Sequence, residues 1–139
     1  YKIIQGQLMQ TDVDYLKKIL DKFIESKTQF INTDSFEEFI TNENIENFFF
    51  HWDILLDKKL IVNGHGKLGN FYSKSANNTY INHIEVRLND DGYNFYEALK
   101  EKDFRNKIKK DFKNISIETL ELLAKKFLDN KIDKFFSNP

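Results

Sequence analysis

Ile45-Glu-Asn-Phe-Phe-Phe-His-Trp-Asp-Ile-Leu-Leu-Asp-Lys-Lys-Leu-Ile-Val62 is the stretch on which the fold turns. Ile45, Phe48, Phe49, Trp52, Leu55, Leu56 and Leu60 recur at helical spacing, which predicts a helix from about Asn44 to Lys59 with a wide core face. Leu60-Ile61-Val62 then changes period and reads as a strand. A helix that runs directly into a strand needs partners on both sides, and the flanking sequence supplies them. Upstream, Thr11 or Asp12 can cap a helix whose stripe is Leu16, Ile19, Leu20, Phe23 and Ile24. Gln29-Phe30-Ile31 reads as a short strand, and Ser35-Phe-Glu-Glu38 as a capping box opening a short helix with Phe36, Phe39 and Ile40.

Downstream, residues 63–79 are rich in Gly, Ser and Asn and read as a long tip. Tyr80 to Leu88 reads as one strand, with Ile84, Val86 and Leu88 alternating against His83, Glu85 and Arg87. Asn89 caps what reads as one further helix, carrying Phe95, Leu99, Phe104, Ile108 and Phe112. A last helix starts near Ser116, with Ile117, Leu120, Leu123, Ala124, Phe127, Leu128 and Ile132 inward and Phe135-Phe136 at its end. The expected class is therefore α+β and mostly helical: a winged helix-turn-helix-like core with a two-stranded wing and a C-terminal helical extension. One domain is expected over 11–139. Residues 1–10 are expected to be an N-terminal arm or an appended remnant, because the chain begins with Tyr1 and Met9 could be a native start.

Composition narrows the function classes. The 139 residues are 40% hydrophobic and 31% charged, which fits one globular domain able to bury its own core. Cysteine is absent, so disulfides, thiolate zinc sites and a cysteine nucleophile are excluded. No apolar run approaches a membrane span, and a cytoplasmic setting is the expectation.

Four segments together resemble a known family. They are Asp12-Val-Asp-Tyr-Leu-Lys-Lys-Ile-Leu, His51-Trp-Asp-Ile-Leu-Leu-Asp-Lys-Lys-Leu-Ile, Arg87-Leu-Asn-Asp-Asp-Gly-Tyr-Asn-Phe and Ser116-Ile-Glu-Thr-Leu-Glu-Leu-Leu-Ala-Lys-Lys. In order and spacing they resemble the bacterial and prophage domain-of-unknown-function family 2513, from about Met9 to Leu128. Asn89, Tyr93 and Phe104 depart from the Thr, His and Trp of that pattern. The resemblance implies winged-helix architecture and a bacterial or phage setting, and it implies no activity.

Catalytic and metal chemistry find little footing. His51, His65 and His83 have no i, i+4 or His-x-His spacing, so no metal or other cofactor is expected. His51 is expected to orient its helix through a polar contact, and His83 to lie on a solvent-facing strand. Glu37/Glu38 and Asp90/Asp91 sit where helix N-termini favour negative charge by about 0.3–1 kcal/mol each. Gly64, Gly66 and Gly69 miss the spacing of phosphate-binding loops. The expectation is that the chain is not an enzyme.

Charge is strongly polarised beneath a net of −1. From Thr28 to Asp57 there are seven acids and no Lys or Arg, so the would-be recognition helix has the wrong sign for a DNA groove. Glu46, Phe50, Ile54 and Asp57 project off its core stripe, an acidic and partly apolar face suited to a protein partner or a second copy. Phe135 and Phe136 are the other expected contact residues. Lys58, Lys59, Lys67, Lys74 and Arg87 make the wing basic, and phosphate contact through it, as in a DNA-binding regulator, is the alternative reading. A protein partner or homodimer is placed ahead of DNA.

Overall fold

The computed structural model describes residues 9–65, 71–76 and 78–137. Helix α1 (Val13–Ile24) is capped by Asp12, whose Oδ1 accepts the amides of Asp14 at 3.0 Å and Tyr15 at 3.1 Å. It buries Leu16, Ile19, Leu20 and Phe23, while Ile24, expected in the same stripe, is 38% exposed. Strand β1 (Ile31–Asn32) follows, and then a 3-10 helix over Thr33–Phe39. The capping box expected at Ser35 and Glu38 does not open this helix. Asn32 caps it instead, its Oδ1 accepting the Asp34 amide at 2.9 Å, so Ser35 already lies inside it.

Helix α2 (Ile45–Asp57) buries Phe48, Phe49, His51, Trp52, Leu55 and Leu56. It ends with Lys59 in the left-handed region at φ 58. The Leu60 amide reaches the Leu55 carbonyl and the Lys59 amide the Leu56 carbonyl, a Schellman termination that turns the chain straight into β2 (Ile61–Asn63). Around Trp52 gather Phe23, Phe36, Phe48 and Phe71, with ring centroids between 4.8 and 6.3 Å from the indole. Phe71, expected in the loop tip, is 1% exposed and belongs to this cluster.

The long tip and the single strand from Tyr80 to Leu88 both need correction. Strands β3 (Tyr72–Lys74) and β4 (Thr79–Ile81) pair antiparallel as a hairpin, and the main sheet resumes at β5 (Glu85–Leu88). Thr33 divides the strand. Its buried hydroxyl donates to the Asn82 carbonyl at 2.7 Å and accepts the Ile84 amide at 3.2 Å, replacing ladder bonds with side-chain bonds. His83 thus lies between strands, exposed. The sheet order is β1-β5-β2, antiparallel throughout, with Ile31 opposite Val86 and Ile61 opposite Leu88.

The helix expected from Asn89 to Phe112 is two: α3 (Asp90–Leu99) and α4 (Lys102–Asp111). Arg105 explains the break. Its Nη1 donates to the carbonyls of Leu99 at 2.8 Å and Lys100 at 3.0 Å, satisfying acceptors that a continuous helix would give to amides. Arg105 and Lys109 both reach Asp14, at 2.9 and 2.8 Å, rather than the intrahelical partners an unbroken helix would offer. Asn89 caps α3 as expected, accepting the Gly92 amide at 2.9 Å. Helix α5 (Ile117–Ser137) packs its first half on α3 through Leu120 and Ala124. Ile132, expected inward, is 53% exposed, because α5 continues past the body that would cover it. Phe112, likewise expected inward, is 37% exposed just past the end of α4. The class is α+β, with helices dominant.

Candidate protein-interaction surfaces

The outer face of α2 carries Glu46 and Asp57 exposed, with Phe50 and Ile54 half-buried between them. The β3 strand lies against the neighbouring strip of the same helix. Tyr72 stacks on Phe49 at 3.9 Å between ring centroids, and its hydroxyl donates to Asp53 Oδ2 at 2.6 Å. Burial raises the Asp53 carboxyl above its ordinary range and Asp57 adds to this, while the Tyr72 bond pulls the other way. The Tyr72 phenol is pushed up to about 12, first by burial and then by Asp53. The hairpin therefore lies on α2 instead of standing away from it.

The wing cations are mostly engaged. Lys74 lies 3.7 Å from Glu46 of α2. Lys58 lies 3.7 Å from Glu118 and 3.6 Å from Glu121, tying the end of α2 to the start of α5. Arg87 is half-buried and donates to the Leu88 carbonyl at 3.1 Å. Lys59 is exposed at its left-handed turn, and Lys67 lies outside the described residues.

The histidines are separate in space and role. His51 is fully buried, with Nδ1 2.8 Å from the Asn47 carbonyl and Nε2 accepting the Asp12 amide at 2.9 Å. One donor and one acceptor define a neutral ring with its proton on Nδ1, and burial lowers its pKa. The polar orienting contact expected of His51 is thus present, and it ties α2 to the start of α1. His83 is exposed and lies 2.7 Å from Asp34. Among the described residues no three His, Asp or Glu side chains converge as metal ligands. No helix among them is long and apolar enough to cross a membrane.

Among the described residues, α5 carries four of the nine large apolar side chains that stand exposed. Leu122, Ile132, Phe135 and Phe136 are 52%, 53%, 74% and 78% exposed. Leu122 and Ile132 line a groove of about 570 Å³ between α3 and α5, together with Phe95, Ala124, Lys125 and Leu128 among others, and Phe135 and Phe136 follow one turn further along α5. Of the expected contact residues, Phe135 and Phe136 are exposed on the same helix, one turn beyond the groove lining, whereas Phe50 and Ile54 are half-buried on α2. Leu128 does pack partly against the core as expected, but sequence reasoning missed the groove because it placed Ile132 inward as well. The available signal was length: α5 needs more turns than α3 can cover. A second cleft of about 560 Å³, between the start of α1 and the end of α4, is polar and lined by Asp12, Asp14, Glu46, Asn47, Lys109 and Lys113 among others.

No family model, curated protein or solved structure matches the chain.

Proposed function

We propose that this chain is a non-catalytic, winged-helix-like interaction domain that works by holding another polypeptide on its α5 surface. The observation that carries the reading is that α5 holds four large apolar side chains, each more than half exposed, of which Leu122 and Ile132 line the α3–α5 groove. Isolated exposed apolar residues are ordinary, but several on one helix beside a groove mark a contact site. The acidic face of α2 around Phe50 and Ile54 is a second, smaller contact region.

The winged-helix part of the reading rests on topology. Helix α1, β1, the 3-10 helix, α2, β2, a hairpin and β5 follow in order, and β1-β5-β2 closes one sheet. The departure is the hairpin, which stacks on α2 through Tyr72 and leaves that helix acidic and partly covered. Lys58 and Lys74, two cations that a DNA contact would use, already face carboxylates.

The test is site-specific photo-crosslinking in cells, with a photoreactive residue at position 136. One discrete adduct is expected, absent when the group is moved to exposed Glu85. Labelling spread over many proteins, or no adduct, rejects the reading.

A further inference from the structure

We infer that the occupant of the α3–α5 groove is the α5 helix of a second copy of this chain, running antiparallel with its two-fold axis level with Asn130. This rests on the reading of α5 as a contact surface and names its partner.

The first support is the order of residues along α5. Lys125, Leu128, Ile132 and Phe135 follow at spacings of three, four and three, one continuous seam on a helix. Reversed about Asn130 the seam falls on itself: Leu128 comes level with Ile132, and Lys125 with Phe135. A two-fold interface demands this self-complementarity, since each residue must meet its own image partner.

The second support is fit. At 1.5 Å per residue, about 15 Å separates Lys125 from Phe135, so the second copy's Phe135 reaches the groove beside Lys125. There the Lys125 stem can cover the ring and its ammonium can face the aromatic surface. Phe136 comes level with Ala124, the small side chain that leaves this part of the groove open, and within a half turn of Leu122. Phe136 and Leu122 are both more than half exposed in the single chain.

The third support is area. Leu122, Ile132, Phe135 and Phe136 together offer about 500 Å² per copy, hence about 1,000 Å² in all. That is where specific interfaces begin, and it sets the expected strength at a reversible dimer of about 1–100 µM.

Sedimentation equilibrium of the purified full chain from 5 to 500 µM is the experiment. The mean mass should rise from one chain toward two, and Phe135→Glu with Phe136→Glu should weaken association at least tenfold. Both side chains are exposed, so this variant should retain its circular dichroism. A chain that stays monomeric throughout, or a dimer that survives the double substitution, overturns the inference. Orientation is tested by mixing single Leu128→Cys and Ile132→Cys chains, since the native sequence has no cysteine to compete. The mixed 128–132 disulfide should form ahead of either homodimer; the reverse overturns the antiparallel register. A monomeric chain that still gives one discrete adduct from position 136 refutes the second copy and keeps the contact reading, whereas no adduct refutes both.

Discussion

His51 Nε2 accepts the backbone amide of Asp12 at 2.9 Å, so an imidazole in the middle of α2 receives the chain as it enters α1. The ring is fully buried, packs against Tyr15 at 4.9 Å and donates from Nδ1 to its own helix. Every polar atom of the ring is satisfied only while it is neutral. Protonating Nε2 would set two donors face to face in a site without water access.

This makes stability depend on pH with a definite sign. The unfolded chain protonates His51 near pH 6.5, and the folded chain does so only at lower pH. Between those values the unfolded state binds more protons, so stability falls as pH drops from 7 toward 5, by at most about 1.4 kcal/mol per pH unit from this group. His51→Gln can still accept the Asp12 amide through its side-chain oxygen and does not titrate. Urea midpoints at pH 7, 6 and 5 should show that variant less stable at pH 7 and flatter toward pH 5. An unchanged slope would mean that another group carries the effect.

Gly92 tests how closely α3 is docked on the sheet. A β-carbon there would lie 2.6 Å from the Leu60 carbonyl oxygen, a backbone atom that cannot rotate away. Gly92→Ala should therefore cost about 1–3 kcal/mol in denaturant unfolding. At Gly64 a β-carbon meets nothing within 4 Å, so Gly64→Ala should stay within about 0.5 kcal/mol of the parent. Equal effects at the two positions would show that α3 is not held against Leu60.

Lys59 offers the opposite case, a residue whose replacement should stabilise. Its φ of 58 is required by the Schellman turn between α2 and β2, and a side chain makes that conformation strained. Lys59→Gly removes the strain and breaks no ion pair among the described residues, for a net gain of about 0.5–1 kcal/mol after the glycine's extra chain entropy. Thermal unfolding of the variant checks the sign. A lower midpoint would mean that the turn is not left-handed in solution.

These cases show where the sequence was legible. The α1 and α2 faces were readable because their apolar spacing is regular, and the start of α1 was also marked by its Asp12 cap. The break between α3 and α4 was not, because it depends on Arg105 reaching two carbonyls and Asp14, more than ninety residues away. Phe71 was hidden by polar neighbours in sequence, although it packs on Phe36, Phe48, Phe49 and Trp52 in space. The α5 groove was missed for a related reason. Periodicity tells which side of a helix is apolar, but only the length of the neighbouring helix tells how much of that side is covered.

Asp53 and Tyr72 decide whether the hairpin is held against α2 by a net favourable bond or despite a half-buried charge. Burial raises the Asp53 pKa, so between about pH 3.8 and its folded value the folded chain binds more protons than the unfolded one. Stability from this group is therefore greatest at low pH and is lost as pH rises through the folded value. Asp53→Asn keeps an oxygen for the Tyr72 hydroxyl and removes the half-buried charge, so it should raise the unfolding midpoint at pH 7 and change little at pH 3.5. Tyr72→Phe should lower the midpoint at pH 7, because it leaves the Asp53 carboxylate without its 2.6 Å donor. If both variants destabilise equally at pH 7, the ionised pair is a stabilising contact and the hairpin is anchored by it. If Asp53→Asn stabilises while Tyr72→Phe destabilises, the stack of Tyr72 on Phe49 and the neutral hydrogen bond suffice to hold the hairpin on α2.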